Sequence, residues 1–144
     1  MKYQNILIPT DGSKSNQEVI RFICSIQKVT GSNILVVFVI EVPRNLPLDA
    51  NLPVKTEQAK EVLKEVANIA EEYQARVDTS IIYARSAEEA IIATADDHQC
   101  DVIAISQDDH RLSIFANKAS TIYQKAKCSV WLFNNKSDSK GRTL

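Results

Sequence analysis

Glycine is scarce in this chain: Gly12, Gly31 and Gly141 are the only three in 144 residues. Loops that cradle phosphate with consecutive backbone N–H groups are usually built on glycine, so a G-x-G-x-x-G turn or a Walker A loop is excluded. Cysteine is also sparse. Cys24, Cys100 and Cys128 are dispersed and form no C-x-x-C pair, which argues against a zinc site or a disulfide framework and for a reducing compartment. No apolar run approaches the roughly 18 residues needed to cross a bilayer. The short run that ends at Pro9 is too brief for a secretory h-region, so a cytoplasmic location is expected. The formal net charge is -1, leaving no field to recruit nucleic acid or an anionic membrane.

What remains is an ordinary globular composition, 44% hydrophobic and 24% charged, in a length suited to one domain. Asn5-Ile6-Leu7-Ile8-Pro9 is an apolar run closed by Thr10-Asp11-Gly12-Ser13, the pattern of a buried strand leaving a sheet through a turn. Val19, Ile20, Phe22, Ile23 and Ile26 then form a helical stripe, with Ser13 or Ser15 as candidate cap and Gly31 beyond its end. Ile34 to Ile40 is apolar without a break, which predicts a central parallel strand covered on both faces. Val42 to Pro53 carries three prolines and no periodicity, so a loop is expected there.

Ala59, Val62, Leu63, Val66, Ile69, Ala70 and Tyr73 predict a long amphipathic helix. Val77 to Tyr83 reads as a more polar strand nearer an edge. Ser86-Ala87-Glu88-Glu89 matches the S-x-x-E capping box and opens another helix. Residues 101–106 form a fourth strand, Ile114 to Lys125 a last helix, and Ser129 to Phe133 a fifth strand; the polar residues 135–144 read as a disordered tail. This strict alternation predicts an α/β fold: a single domain over residues 1–134 with a five-stranded parallel sheet and helices on both faces.

The residues then become familiar. Ile6-Leu7-Ile8-Pro9-Thr10-Asp11-Gly12-Ser13 resembles the opening of the universal stress protein family. Ser86-Ala87-Glu88-Glu89-Ala90-Ile91, Asp101-Val102-Ile103-Ala104-Ile105 and Ala126-Lys127-Cys128-Ser129-Val130 resemble, in order, its entry to the third helix, its fourth strand and its approach to the last. The resemblance runs over roughly residues 2–133. It implies a cytoplasmic, stress-induced protein with a Rossmann-like layout, usually dimeric. One branch of the family binds ATP through a signature after the fourth strand: two glycines three positions apart, about nine residues, then glycine and serine or threonine, the backbone cradle of a phosphate loop.

This chain departs from that signature. Ser106 and Asp109 stand where the first two glycines would be, and Ala116 and Asn117 on the final pair. Asp108 and Asp109 add carboxylates to the loop, and two like charges ~4 Å apart repel by about 1 kcal/mol even in bulk water. His110 and Arg111 compensate only in part. By resemblance the adenosine half is better kept: Asp11 matches the family position beside the ribose and Val39 the one beside adenine. A residual ATP or AMP pocket would therefore use Asp11, Val39, Ser106 and Asn117.

Each of these has a plainer explanation. Asp-Gly is a turn dipeptide, Val39 lies in an apolar strand, and an acidic loop is commonly just solvated. Asp108, Asp109 and His110, or Asp96, Asp97 and His98, lack the dispersed spacing of metal ligands. No histidine accompanies a cysteine to activate it, and no general base or metal set supports a nucleotide hydrolase. The expectation is a non-enzymatic regulatory module without tight ATP binding, the alternative a nucleotide-binding sensor. Val130, Trp131, Leu132 and Phe133 would make an exposed apolar edge unless covered. By family resemblance they pair across a homodimer; burial under the chain's own helix is the alternative. An unidentified protein partner is expected as well.

Overall fold

The computed structural model describes residues 3–106 and 118–134. Its elements, in chain order, are β1 (Asn5–Pro9), α1 (Lys14–Ser25), α2 (Gln27–Thr30), β2 (Asn33–Glu41), α3 (Pro53–Glu72), β3 (Val77–Ala84), α4 (Ala87–Asp97), β4 (Val102–Ser106), α5 (Ala119–Lys125) and β5 (Ser129–Phe133). The five strands form one sheet in the order β3-β2-β1-β4-β5, every neighbouring pair parallel.

Period-2 alternation divides the core between the two faces. Ile6 and Ile8 of β1, with Ile34 and Val36 of β2, meet Val19, Ile20 and Ile23 of α1 and Leu63, Val66 and Ile69 of α3. Leu7, Val37, Val39, Ile103 and Ile105 meet Ala87, Ile91 and Ala95 of α4 and Ile122 of α5 on the other face. β2 and β4 are apolar on both faces because both faces are covered. β3 is an outer strand, as its polar residues imply.

Local chemistry sets the boundaries. The Ser13 side chain caps α1 by accepting from the Asn16 N–H, and the Ser86 side chain caps α4 by accepting from the Glu89 N–H, as the sequence predicts. The stripe expected as one helix before Gly31 is interrupted at Ile26, and α2 ends on Gly31 at φ +70, a left-handed cap that glycine adopts without strain. The loop after β2 is shorter than expected: Pro53 is the first residue of α3, where its missing N–H costs nothing. That loop is tied down by Arg85, whose Nη1 donates to the carbonyls of Val42, Pro43 and Leu46 at 3.4, 2.6 and 2.7 Å. Asp101, expected as strand, instead uses its carboxylate to accept from the N–H groups of Gln4 and Asn5 at 2.8 and 2.9 Å, fixing the start of β1.

On β5, Trp131 and Phe133 are partly buried against the α1–α3 face. Trp131 stacks edge-on with Tyr3 and Phe133 tilts onto Phe22, with ring centres 5.2 and 5.7 Å apart. The chain's own residues thus cover part of this strand, while Leu132 is exposed. The expected start of the last helix at Ile114, the acidic segment 108–111 and the tail 135–144 lie outside the described residues.

Candidate functional site

The chain leaves β1 to build β2 and β3 on one side, then returns to build β4 and β5 on the other. At the carboxyl ends of β1 and β4 the connections therefore diverge, and in open parallel sheets this is the crevice where ligands sit. Asp11 and Ser106, two of the candidate residues, stand there together.

The Asp11 backbone N–H and the Ser106 hydroxyl belong to one hydrogen-bonded cluster organised by Asn16, which is 3% exposed. Its Oδ1 accepts from the Asp11 N–H at 2.7 Å and from Thr10 Oγ1 at 3.4 Å. Its Nδ2 donates to Ser106 Oγ at 2.7 Å, and Ser106 Oγ lies 3.3 Å from Ser15 Oγ. Asn16 thereby ties the end of β1 to the end of β4. The Asp11 carboxylate accepts from the Ser13 N–H at 2.9 Å, an Asx turn that reverses the chain into α1. Gly12 follows at φ +87, and a Cβ there would lie 2.8 Å from Val62 Cγ2; glycine is required by both conformation and space.

A second cluster closes the rim at the end of β2. Lys118, which leads into α5, bonds Glu41 and sits 3.3 Å from Glu88 Oε1. Glu41 also accepts from the Ala87 N–H at 2.8 Å, holding the start of α4. Partial burial alone would raise the Glu41 carboxyl, but the bond from Lys118, the Ala87 N–H and the lysine charge together hold it below its usual range. Glu88 is likewise lowered: burial opposes ionisation, and its own backbone N–H and the Lys118 charge outweigh it.

Val39 is not at this surface. It is 3% exposed, in the apolar cluster beneath α4 and α5. Asn117 lies outside the described residues. Among the described residues no group of three or more His, Cys, Asp and Glu is placed to hold a metal; Asp96 instead faces Lys127 at 3.5 Å. Burial pushes the thiols of Cys24 and Cys100 up to about 11 and raises that of Cys128, away from nucleophilic thiolate character.

Sequence reasoning missed Asn16, Glu41 and Lys118. A signal existed for the first: Asn16 precedes Val19 and Ile20 by three and four residues, so a polar side chain interrupts the buried stripe. No local pattern marks a lysine that meets a glutamate 77 residues away.

The sequence profile described as the universal stress protein family matches residues 2–134. Solved structures share the fold. A universal stress protein from Archaeoglobus fulgidus in complex with dAMP is 20% identical, covering 92% of this chain and 98% of its own, at TM-score 0.73. A universal stress protein in complex with cAMP is 15% identical over 92% and 98%, at TM-score 0.67. UspA from Lactobacillus plantarum is 20% identical over 92% and 99%, at TM-score 0.60. No curated protein matches this sequence. Among the described residues no helix is long and apolar enough to cross a membrane.

Proposed function

The chain belongs to the universal stress protein family, and from that premise we propose that it is a non-enzymatic regulatory module of the cytoplasmic stress response. It acts through a protein partner and does not hold ATP tightly. The observation that carries this is Ser106. At the position where a phosphate loop would begin with glycine, a buried hydroxyl is bonded to Asn16 and faces Ser15. A phosphate taking that place would first have to break a buried polar cluster, at about 1–3 kcal/mol for each polar group left unsatisfied. The Glu41–Lys118–Glu88 cluster adds one net negative charge at the neighbouring rim.

A second reading, a sensor of ATP or AMP, is favoured by the solved complexes of family members with dAMP and cAMP and by Asp11 at the end of β1. Its site would comprise Asp11, Ser106 and Asn117, with Val39 buried beneath α4 and α5. We further propose a family domain over residues 1–134. The domain would dimerise through β5 (Val130, Trp131, Leu132 and Phe133), an outer strand whose Leu132 is exposed.

Isothermal titration of ATP and AMP, with Mg²⁺, into the protein and into Asp11→Ala decides between the readings. No heat at millimolar nucleotide supports the partner-binding module. Micromolar affinity abolished by Asp11→Ala establishes the sensor and overturns it. Light scattering of the protein and of Leu132→Glu tests the dimer, which the substitution should dissociate.

A further inference from the structure

At the opposite, amino-terminal edge of the sheet lies a cavity of about 430 Å³ that the proposed function does not use. Its origin is a mismatch of lengths. The 11 residues of α4 span about 16 Å, whereas the 8 residues of β3, beneath it, span about 26 Å. The helix ends before the strand does, and the starts of β2 and β3 stay uncovered. The residues change character at that line. Val37, Ile82 and Ala84 pack under the helix, while Asn33, Asp78 and Ser80, on the same face by alternation, line the cavity.

The polar groups there are mostly acceptors. Asn33 Nδ2 donates to Asn5 Oδ1 at 2.9 Å, and Asn5 Nδ2 donates to the Gln99 carbonyl at 3.2 Å. This chain orients both amides and leaves the Asn33 oxygen as an acceptor. His98 Nδ1 lies 3.1 Å from the Thr94 carbonyl; a carbonyl only accepts, so Nδ1 bears the proton in that bond and Nε2 is the remaining ring nitrogen. Asp78 supplies a carboxylate, and among the described residues no lysine or arginine lines the cavity. The carboxyl end of α4, the negative end of its dipole, closes the same rim. Leu35, on the same face as Asp78, adds an apolar wall.

Such a surface repels phosphates and carboxylates and suits an ammonium group on a short hydrocarbon stem. The volume falls within the ~300–1,000 Å³ of small-molecule sites. We propose that this cavity binds a small aliphatic amine, its ammonium on Asp78 and its methylenes along Leu35, at a site separate from the crevice.

The test is a titration of the ¹⁵N-labelled full chain with n-butylamine, followed by amide chemical shifts. The expected result is a saturable change at residues 33–35, 78–80 and 98–100, with Asp11 to Asn16 unmoved and sodium acetate without effect. Asp78→Asn should weaken binding at least about tenfold, as for losing one charge-assisted contact. Ser80→Leu, which keeps the charge and fills the floor, should weaken it as well. Non-saturating shifts spread over every acidic residue, or an affinity unchanged in folded Asp78→Asn and Ser80→Leu, would overturn the proposal.

Discussion

Asn16 Nδ2 and Ser106 Oγ, 90 residues apart in sequence, meet at 2.7 Å in the interior. The bond joins the first turn of α1 to the last residue of β4 across the point where the sheet's connections diverge. Its geometry fixes the width of the crevice. Asn16→Ala would leave the Asp11 N–H and the Ser106 hydroxyl without this partner, at a cost of about 2 kcal/mol, or a fall in melting temperature of roughly 6 °C. Asn16→Leu should do no better, because it packs a larger apolar group against the same orphaned donor and acceptor. A calorimetric scan showing either variant within 1 °C of the parent, to within about 0.3 kcal/mol, would mean that water replaces the amide.

Gly12 and Gly31 both have positive φ, at +87 and +70, but only Gly12 is crowded. Gly31→Ala meets nothing within 4 Å and should cost only the left-handed backbone penalty, about 1 kcal/mol. Gly12→Ala carries that penalty together with a 2.8 Å approach to Val62 Cγ2, so about 2–4 kcal/mol is expected. The steric part is separable. Adding Val62→Ala to Gly12→Ala should recover stability relative to the sum of the single changes, and strict additivity in urea denaturation would show that the backbone alone is responsible.

The sheet was legible in the sequence because its signals are local. Ile34 to Ile40 has no polar break, Ser86 and Glu89 lie within one turn, and the polar Val77 to Tyr83 segment belongs on an outer strand, where it is found. The crevice was legible only at Asp11 and Ser106. Asn16, Glu41 and Lys118 act through contacts 77 to 90 residues long, which neither periodicity nor motif spacing encodes. The aromatic run on β5 was ambiguous for the same reason. What covers Trp131 is Tyr3, at the other end of the chain.

Lys118 ties Glu41 and Glu88 to one charge, and this gives stability a pH dependence of definite sign. Both carboxyls are lowered in the folded protein, so their contribution is fully present above the unfolded value of about 4.3. It is lost as the pH falls through the folded values beneath it. Lys118 is raised by the same contacts, against its burial. Its contribution holds below its ordinary value of about 10.4 and fades only above that. Lys118→Met should therefore lower the urea midpoint at pH 7, and the gap from the parent should shrink between pH 5 and 3. A gap that stays constant to pH 3, below the ordinary glutamate value of about 4.3, would assign the loss to packing of the lysine stem instead of its charge.

The three thiols offer a kinetic test of the proposed non-enzymatic role. Cys24 is pushed up to about 11 by burial. Cys100 reaches about 11 by burial and then by the neighbouring Cys128 and Asp101. Against an ordinary thiol near 8.5, that leaves roughly 300-fold less thiolate at neutral pH. Ellman's reagent at pH 7.5 should therefore react with the native protein far more slowly than with glutathione, and with all three cysteines once urea is added. Raising the pH to 9.5 separates two mechanisms, since a rise of two pH units below a thiol value of about 11 increases its thiolate content roughly 100-fold. The half-buried Cys100 and Cys128 should accelerate with thiolate content, whereas Cys24, in the α1–α3 core, should follow the rate at which the fold opens. Rapid labelling of one cysteine at pH 7.5 would instead reveal an activated thiol and return covalent chemistry to consideration.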